Sequence, residues 1–228
     1  MIKHKQQQIH PSGEAGFTII ESLVAILLIT ILLAAIAPTI IIATATRVQS
    51  KRVELATQAA RSFIDGVKTG AVTAPGTTIA PDGTLAGNLL NTTNMPPPTS
   101  STSLYCVTKD ASNNLIISTT VCTNILFYIQ AKTITVATST PTDTTGIPRD
   151  GYRLGIRVYR SDIDFTKTVS ASNGNNKKTQ NTFTGTLGDR QSPLVEMTTE
   201  IGSRNTSFNA LCQRLVITGS TTSNTTCN

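Results

Sequence analysis

Histidine is nearly missing from this chain of 228 residues: it stands only at His4 and His10. Everything after the first ten residues lacks the side chain that most often serves as general base and metal ligand. Ser-His-Asp and Cys-His catalysis are thereby excluded as ordinarily built. Tryptophan is absent, aromatic residues make up 4% and charged residues 14% of the chain, well below the usual quarter for charge. No Cys-x-x-Cys pair, phosphate-cradling glycine loop or zinc-type spacing occurs. Asp162 and Asp164 form a lone acidic pair that reads as a solvated turn rather than an acid/base dyad. The expectation is a protein that is not an enzyme, with no cofactor and no metal.

Charge of one sign is not concentrated either. The net charge of +6 comes from 19 Lys and Arg against 13 Asp and Glu. The basic residues are dispersed as on a solvated surface, not bunched as in a nucleic-acid arm. Asn91, Asn205 and Asn224 open matches to the N-glycosylation pattern, read as chance in a chain this rich in threonine. The four cysteines, Cys106, Cys122, Cys212 and Cys227, are even in number and fit an oxidising compartment. Cys106 with Cys122 and Cys212 with Cys227 are the natural pairs, although four cysteines allow three connectivities.

What the chain does have is a long apolar run. Residues 22–46 contain no charged side chain, and a helix of that length reaches about 37 Å, enough to cross a hydrocarbon core of about 30 Å. The run reads as a membrane span. Ahead of it lies a short hydrophilic segment, 1–16, with Lys3 and Lys5. A secretory signal would lose its apolar region on cleavage. Here a cut between Gly16 and Phe17 would leave the apolar helix on the mature chain. Glu21 is the only charge near the start of the span, and an ionisable group at the edge of hydrocarbon calls for a partner. Pro38 removes a backbone donor and is expected to kink or locally melt the helix.

The stretch Gly16-Phe17-Thr18-Ile19-Ile20-Glu21, followed by an apolar run containing Pro38, resembles the N-terminus of type IV pilins and type II secretion pseudopilins. The resemblance covers about the first fifth of the chain. It implies that a prepilin peptidase cuts after Gly16 and methylates the new N-terminal Phe17. It also implies that Glu21 of one subunit neutralises the α-amino group of a neighbour during assembly, and that Pro38 is the helix-kinking proline. The partners it implies are the peptidase, other pilins or pseudopilins in a filament, and an inner-membrane assembly platform with an ATPase motor. It places the chain as a single pass in the inner membrane with its head outside the cytoplasm, then in a surface pilus or periplasmic pseudopilus. One feature opposes this orientation: Arg47, Lys51 and Arg52 after the span outnumber Lys3 and Lys5 before it, against the positive-inside rule.

Beyond the span, Val48, Leu55, Ala56, Ala59, Ala60, Phe63 and Val67 recur at helical spacing, and Gly66 and Gly70 are stop signals. The expected organisation is a leader at 1–16, a transmembrane and assembly half-helix at 17–46, an amphipathic half-helix at 47–69, a variable connecting surface region at 70–103 and a β-sheet head at 104–228. Strands are expected at 104–108, 115–122, 125–136, 152–159, 182–187, 194–199 and 214–218, and a mobile loop at 170–180. The strand at 152–159 alternates so that one face is buried and the other displays Arg153 and Arg157. The fold expected is α+β, the type IV pilin fold, with the long helix laid on an antiparallel sheet.

The resemblance carries two further implications. Many pilins close a disulfide-bounded loop at the C-terminus, where Cys212 and Cys227 stand. Major pseudopilins bind calcium through an acidic C-terminal loop, whereas residues 204–228 contain no carboxylate side chain, which points toward a minor pilin or a specialised pseudopilin. Gly-Tyr-Arg-Leu-Gly-Ile-Arg-Val-Tyr-Arg at 151–160 is similar to cyanobacterial hormogonium polysaccharide secretion pseudopilins. A second function class is a pilin-like protein whose Arg153 and Arg157 grip DNA or an anionic polysaccharide, although two arginines on a strand face are usually solvated surface.

Overall fold

The computed structural model describes residues 18–75, 78–79, 90–120, 122–134, 151–173, 176–180, 188–203 and 206–208. They form one helix, α1 (Ile19–Thr69), and six strands: β1 (Thr78–Ile79), β2 (Tyr105–Lys109), β3 (Leu115–Ser118), β4 (Phe127–Ile134), β5 (Tyr152–Arg160) and β6 (Val195–Ile201). The expected strands at 182–187 and 214–218, the Gly16–Phe17 junction, Cys212 and Cys227 lie outside the described residues. By its contacts the chain divides into two units, residues 1–44 and residues 45–228.

The first unit is, where described, the apolar part of α1. Thr18 begins the helix: its carbonyl accepts from the N–H groups of Glu21 and Ser22 at 3.0 and 3.1 Å, and its hydroxyl caps Glu21 N–H at 3.3 Å. The helix continues through Pro38 without interruption, so the expected local melting does not occur. Proline deletes a single intrahelical donor. The hydrogen bonding of the neighbouring turn persists, with the Thr39 hydroxyl donating to the Ile36 carbonyl at 2.6 Å.

The second unit is an α+β head. Five strands form an antiparallel sheet in the order β3-β2-β4-β5-β6. β2 and β3 make the expected hairpin, with Val107 opposite Ile117. The side of β4 away from β5 is shared: β2 pairs with it near Ile129, and β1 joins in parallel at Thr133 and Ile134. The short strand β1 falls in the region expected to be connecting chain.

One face of the sheet receives the second half of α1. Ala56, Ala59, Ala60, Phe63 and Val67 pack against Val107, Ile129, Leu154, Ile156 and Val158. The three alanines keep the helix close to the sheet, and the Phe63 ring meets Tyr105 edge-on at 4.7 Å. Val48 does not join this stripe. It is 41% exposed, while Gln49 is fully buried, because counting back from Phe63 in steps of seven reaches Ala56 and then Gln49. A buried amide needs a partner, and Gln49 Nε2 donates to Gln180 Oε1 at 2.7 Å. Gly70, with φ of 76°, ends the helix in the left-handed conformation that glycine tolerates. Gly66 instead lies inside it, where Val72 packs so closely that a Cβ would stand 2.6 Å from its Cγ2.

Candidate functional site

The chemistry at the start of α1 follows from its surroundings. Large apolar side chains from Ile19 to Ile42 are exposed all around the helix, an arrangement that water disfavours and hydrocarbon accepts. α1 is long and apolar enough to cross a membrane. The hydroxyls in this part of the helix are already satisfied: those of Ser22, Thr30 and Thr44 donate to the carbonyls of Ile19, Leu27 and Ile40 at 2.9, 2.8 and 3.0 Å. Such internal pairing is what a lipid-exposed helix requires, since each unmet group there costs several kcal/mol. Glu21 is exposed at the first turn, near the positive end of the helix dipole. The spacing Thr18-x-x-Glu21 is also that of a capping box, a local role for Glu21 beside the one given by its position in the motif.

The far face of the sheet was expected to show arginines to solvent, and the structure corrects this. Arg157 is completely buried. Its Nε donates to Glu196 Oε1 at 2.8 Å. Nη1 meets the Met95 carbonyl and, at 3.5 Å, Gln130 Oε1. Nη2 meets the Leu90 carbonyl and, at 3.3 Å, the Ser172 carbonyl. A guanidinium has five N–H groups, and these contacts occupy them. Glu196 is met in turn by the backbone N–H of Ser172 at 3.2 Å and by the Ser172 hydroxyl. Gln130 fastens the same cover by donating to the Pro96 carbonyl at 2.7 Å. Arg153 pairs with Glu200 at 3.3 Å. A polyanion therefore finds no free donor at Arg157, and the proposed grip by Arg153 and Arg157 is not the arrangement present.

Two segments read as loose surface supply this cover. Within the expected connecting region 70–103, Met95 is fully buried at the end of a turn closed by its N–H on the Asn91 carbonyl at 2.9 Å. Within the expected mobile loop 170–180, Ser172 and Gln180 are buried, Ser170 N–H donates to Gln191 O at 2.8 Å, and Gln180 N–H donates to Pro193 O at 2.9 Å. The loop is anchored at both ends. A composition of small polar residues gave no sign of this, because its anchors are backbone groups answering other backbone groups 21 and 13 positions along the chain.

The disulfide Cys106–Cys122 is present. It links the second residue of β2 to the chain four residues after β3, with Cys106 buried and Cys122 exposed. The acidic pair is split: Asp162 joins Arg160 at 2.6 Å, whereas Asp164 accepts from the Thr166 hydroxyl at 2.6 Å and faces Arg190 at 3.4 Å. Asp164 is held below the usual carboxylate range by those Thr166 hydrogen bonds. Burial pushes Tyr159 upward, its hydroxyl donating to the Ser170 carbonyl at 3.3 Å. Among the described residues no three His, Cys, Asp or Glu gather as a metal site.

Comparison with known families gives one finding. Residues 11–37 match the prokaryotic N-terminal methylation motif, which contains the Gly16–Phe17 junction and Glu21 and runs into the apolar turns of α1. The motif supports a type IV pilin-like or pseudopilin-like protein, and implies processing by a prepilin peptidase and assembly with other pilins. No curated protein and no solved structure matches the chain.

Proposed function

We propose that this chain is a structural minor pilin or pseudopilin subunit. A prepilin peptidase cuts between Gly16 and Phe17 and methylates the Phe17 amine. The span then holds the subunit in the inner membrane with its head outside the cytoplasm until an assembly platform, driven by a separate ATPase motor, moves it into a pilus or pseudopilus. In that filament Glu21 neutralises the amine of a neighbouring Phe17. The work is mechanical, serving secretion or motility, and the chain itself catalyses nothing. Polysaccharide secretion is the branch favoured by the sequence at 151–160.

The observation that carries this reading is the methylation motif at residues 11–37 leading into a helix whose apolar side chains are exposed on all sides. A secretory signal would not leave that helix attached. The test is mass spectrometry of the N-terminal peptide from protein taken from its native membranes. A peptide beginning at Phe17 with one added methyl group is expected. An intact leader in cells with an active prepilin peptidase would overturn the proposal.

A further inference from the structure

After Glu21 the next acidic side chain is Glu54, and between them stand Arg47, Lys51 and Arg52. Arg47 and Lys51 are one helical turn apart and both exposed. They lie about 160° around the helix from Gln49, which is on the face buried against the head. Among the described residues neither has an ion-pair partner; the acids that pair do so with Arg153, Arg157, Arg160 and Arg190. The head therefore leaves these two cations outward and unneutralised, immediately beyond the apolar turns.

Their distance along the helix identifies what meets them. From Glu21, Arg47 is about 39 Å and Lys51 about 45 Å of helix away. A bilayer including its headgroup layers is about 40–45 Å thick. With Glu21 at one interface, the two cations reach the phosphate layer of the opposite leaflet. We propose that Arg47 and Lys51 form a binding surface for anionic phospholipid headgroups in the leaflet on the head side of the membrane. This rests on the membrane-span reading. It assigns a partner to the charges that oppose the positive-inside rule: they hold the helix at a set depth by gripping phosphate. Arg47 is suited to forked contact with phosphate oxygens and Lys51 to a point-charge contact. A basic side chain near an anionic surface strengthens attachment to that surface by about five-fold, and the pair by about 30-fold.

The chain contains no tryptophan, so Ile40→Trp places a single, selectively excited tryptophan on the last apolar turns. Full-length protein carrying it is reconstituted with brominated phosphatidylglycerol or brominated phosphatidylcholine. Stronger quenching by the anionic lipid is expected, reduced by salt, abolished in Arg47→Gln/Lys51→Gln and retained in Arg47→Lys/Lys51→Arg. Equal quenching by the two lipids, or an unchanged preference in the glutamine variant, would overturn the lipid proposal while leaving the span intact. Absence of quenching by either lipid would overturn the span reading and this proposal with it.

Discussion

Arg157 and Glu196 face each other across the β5–β6 ladder at 2.8 Å, with side chains 0% and 6% exposed. Removing one member of such a pair strands the other in a medium that cannot solvate it. Arg157→Met is expected to cost about 3–5 kcal/mol, because Glu196 loses its cation and the Leu90 and Met95 carbonyls lose their donor. Arg153→Met, whose pair with Glu200 is 20% and 31% exposed, is expected to cost less, about 1–2 kcal/mol, because water reaches these side chains although the Glu200 oxygens themselves are buried. Urea denaturation of the full chain in detergent measures both, and similar costs would contradict the burial argument.

Gly188 sits beside the buried glutamine pair with φ of 78°, and a Cβ there would stand 2.6 Å from Gln180 Oε1 and 3.1 Å from Gln49 Nε2. Gly188→Ala therefore meets both backbone strain and a clash with the hydrogen bond that links Gln49 of α1 to Gln180. A loss of about 1–3 kcal/mol is expected. A neutral or stabilising result in thermal unfolding would refute it.

The Cys106–Cys122 bridge closes a sequence separation of 16 residues. In the chain-entropy model such a loop contributes about 3 kcal/mol. Reductant should lower the urea midpoint of the native protein and leave that of Cys106→Ala/Cys122→Ala unchanged. Any further reductant effect in the double variant would report the cysteines at 212 and 227.

Tyr105 and Tyr152 are pushed from 10.0 up to about 12, chiefly by burial. Their folded pKa lies above the unfolded one, so the unfolded chain loses these protons first. The stabilisation is whole below pH 10 and is lost as the pH rises toward 12. Ultraviolet titration of the folded protein should show these phenols ionising late, with alkaline unfolding accompanying the last of them. Ionisation of all four tyrosines near 10 would contradict the buried placement.

Asp110 shows the opposite sign. Backbone and side-chain hydrogen bonds from Asn114 hold its carboxyl below 3.8, with Asn114 N–H at 2.7 Å and Ser112 N–H at 2.8 Å. The contribution of this turn is present above 3.8 and disappears as the pH falls through the lower folded value. The stability gap between the native chain and Asp110→Ala should narrow in acid. A gap independent of pH would show that the charge is not what holds the turn.

Much of this protein could be read along the chain. The span, the start of α1, the β2–β3 hairpin, β4, β5 and the Ala56-to-Val67 stripe all follow from local spacing, since hydrophobic period and turn residues act over a few positions. The processing motif is equally local, so it too was visible, and the pairing of Cys106 with Cys122 follows a hairpin already legible there. The burial of Arg157 was not. Alternation placed it on the far face of the sheet correctly, but whether that face is wet depends on Leu90, Met95 and Ser172, whose carbonyls reach it from 67, 62 and 15 positions away. In the same way Gln49 lies on the buried face by its seven-residue spacing from Ala56, but the partner that meets its amide there is Gln180, 131 positions later. Backbone carbonyls and lone amides have no compositional signature, and their partners are chosen by packing once distant segments meet.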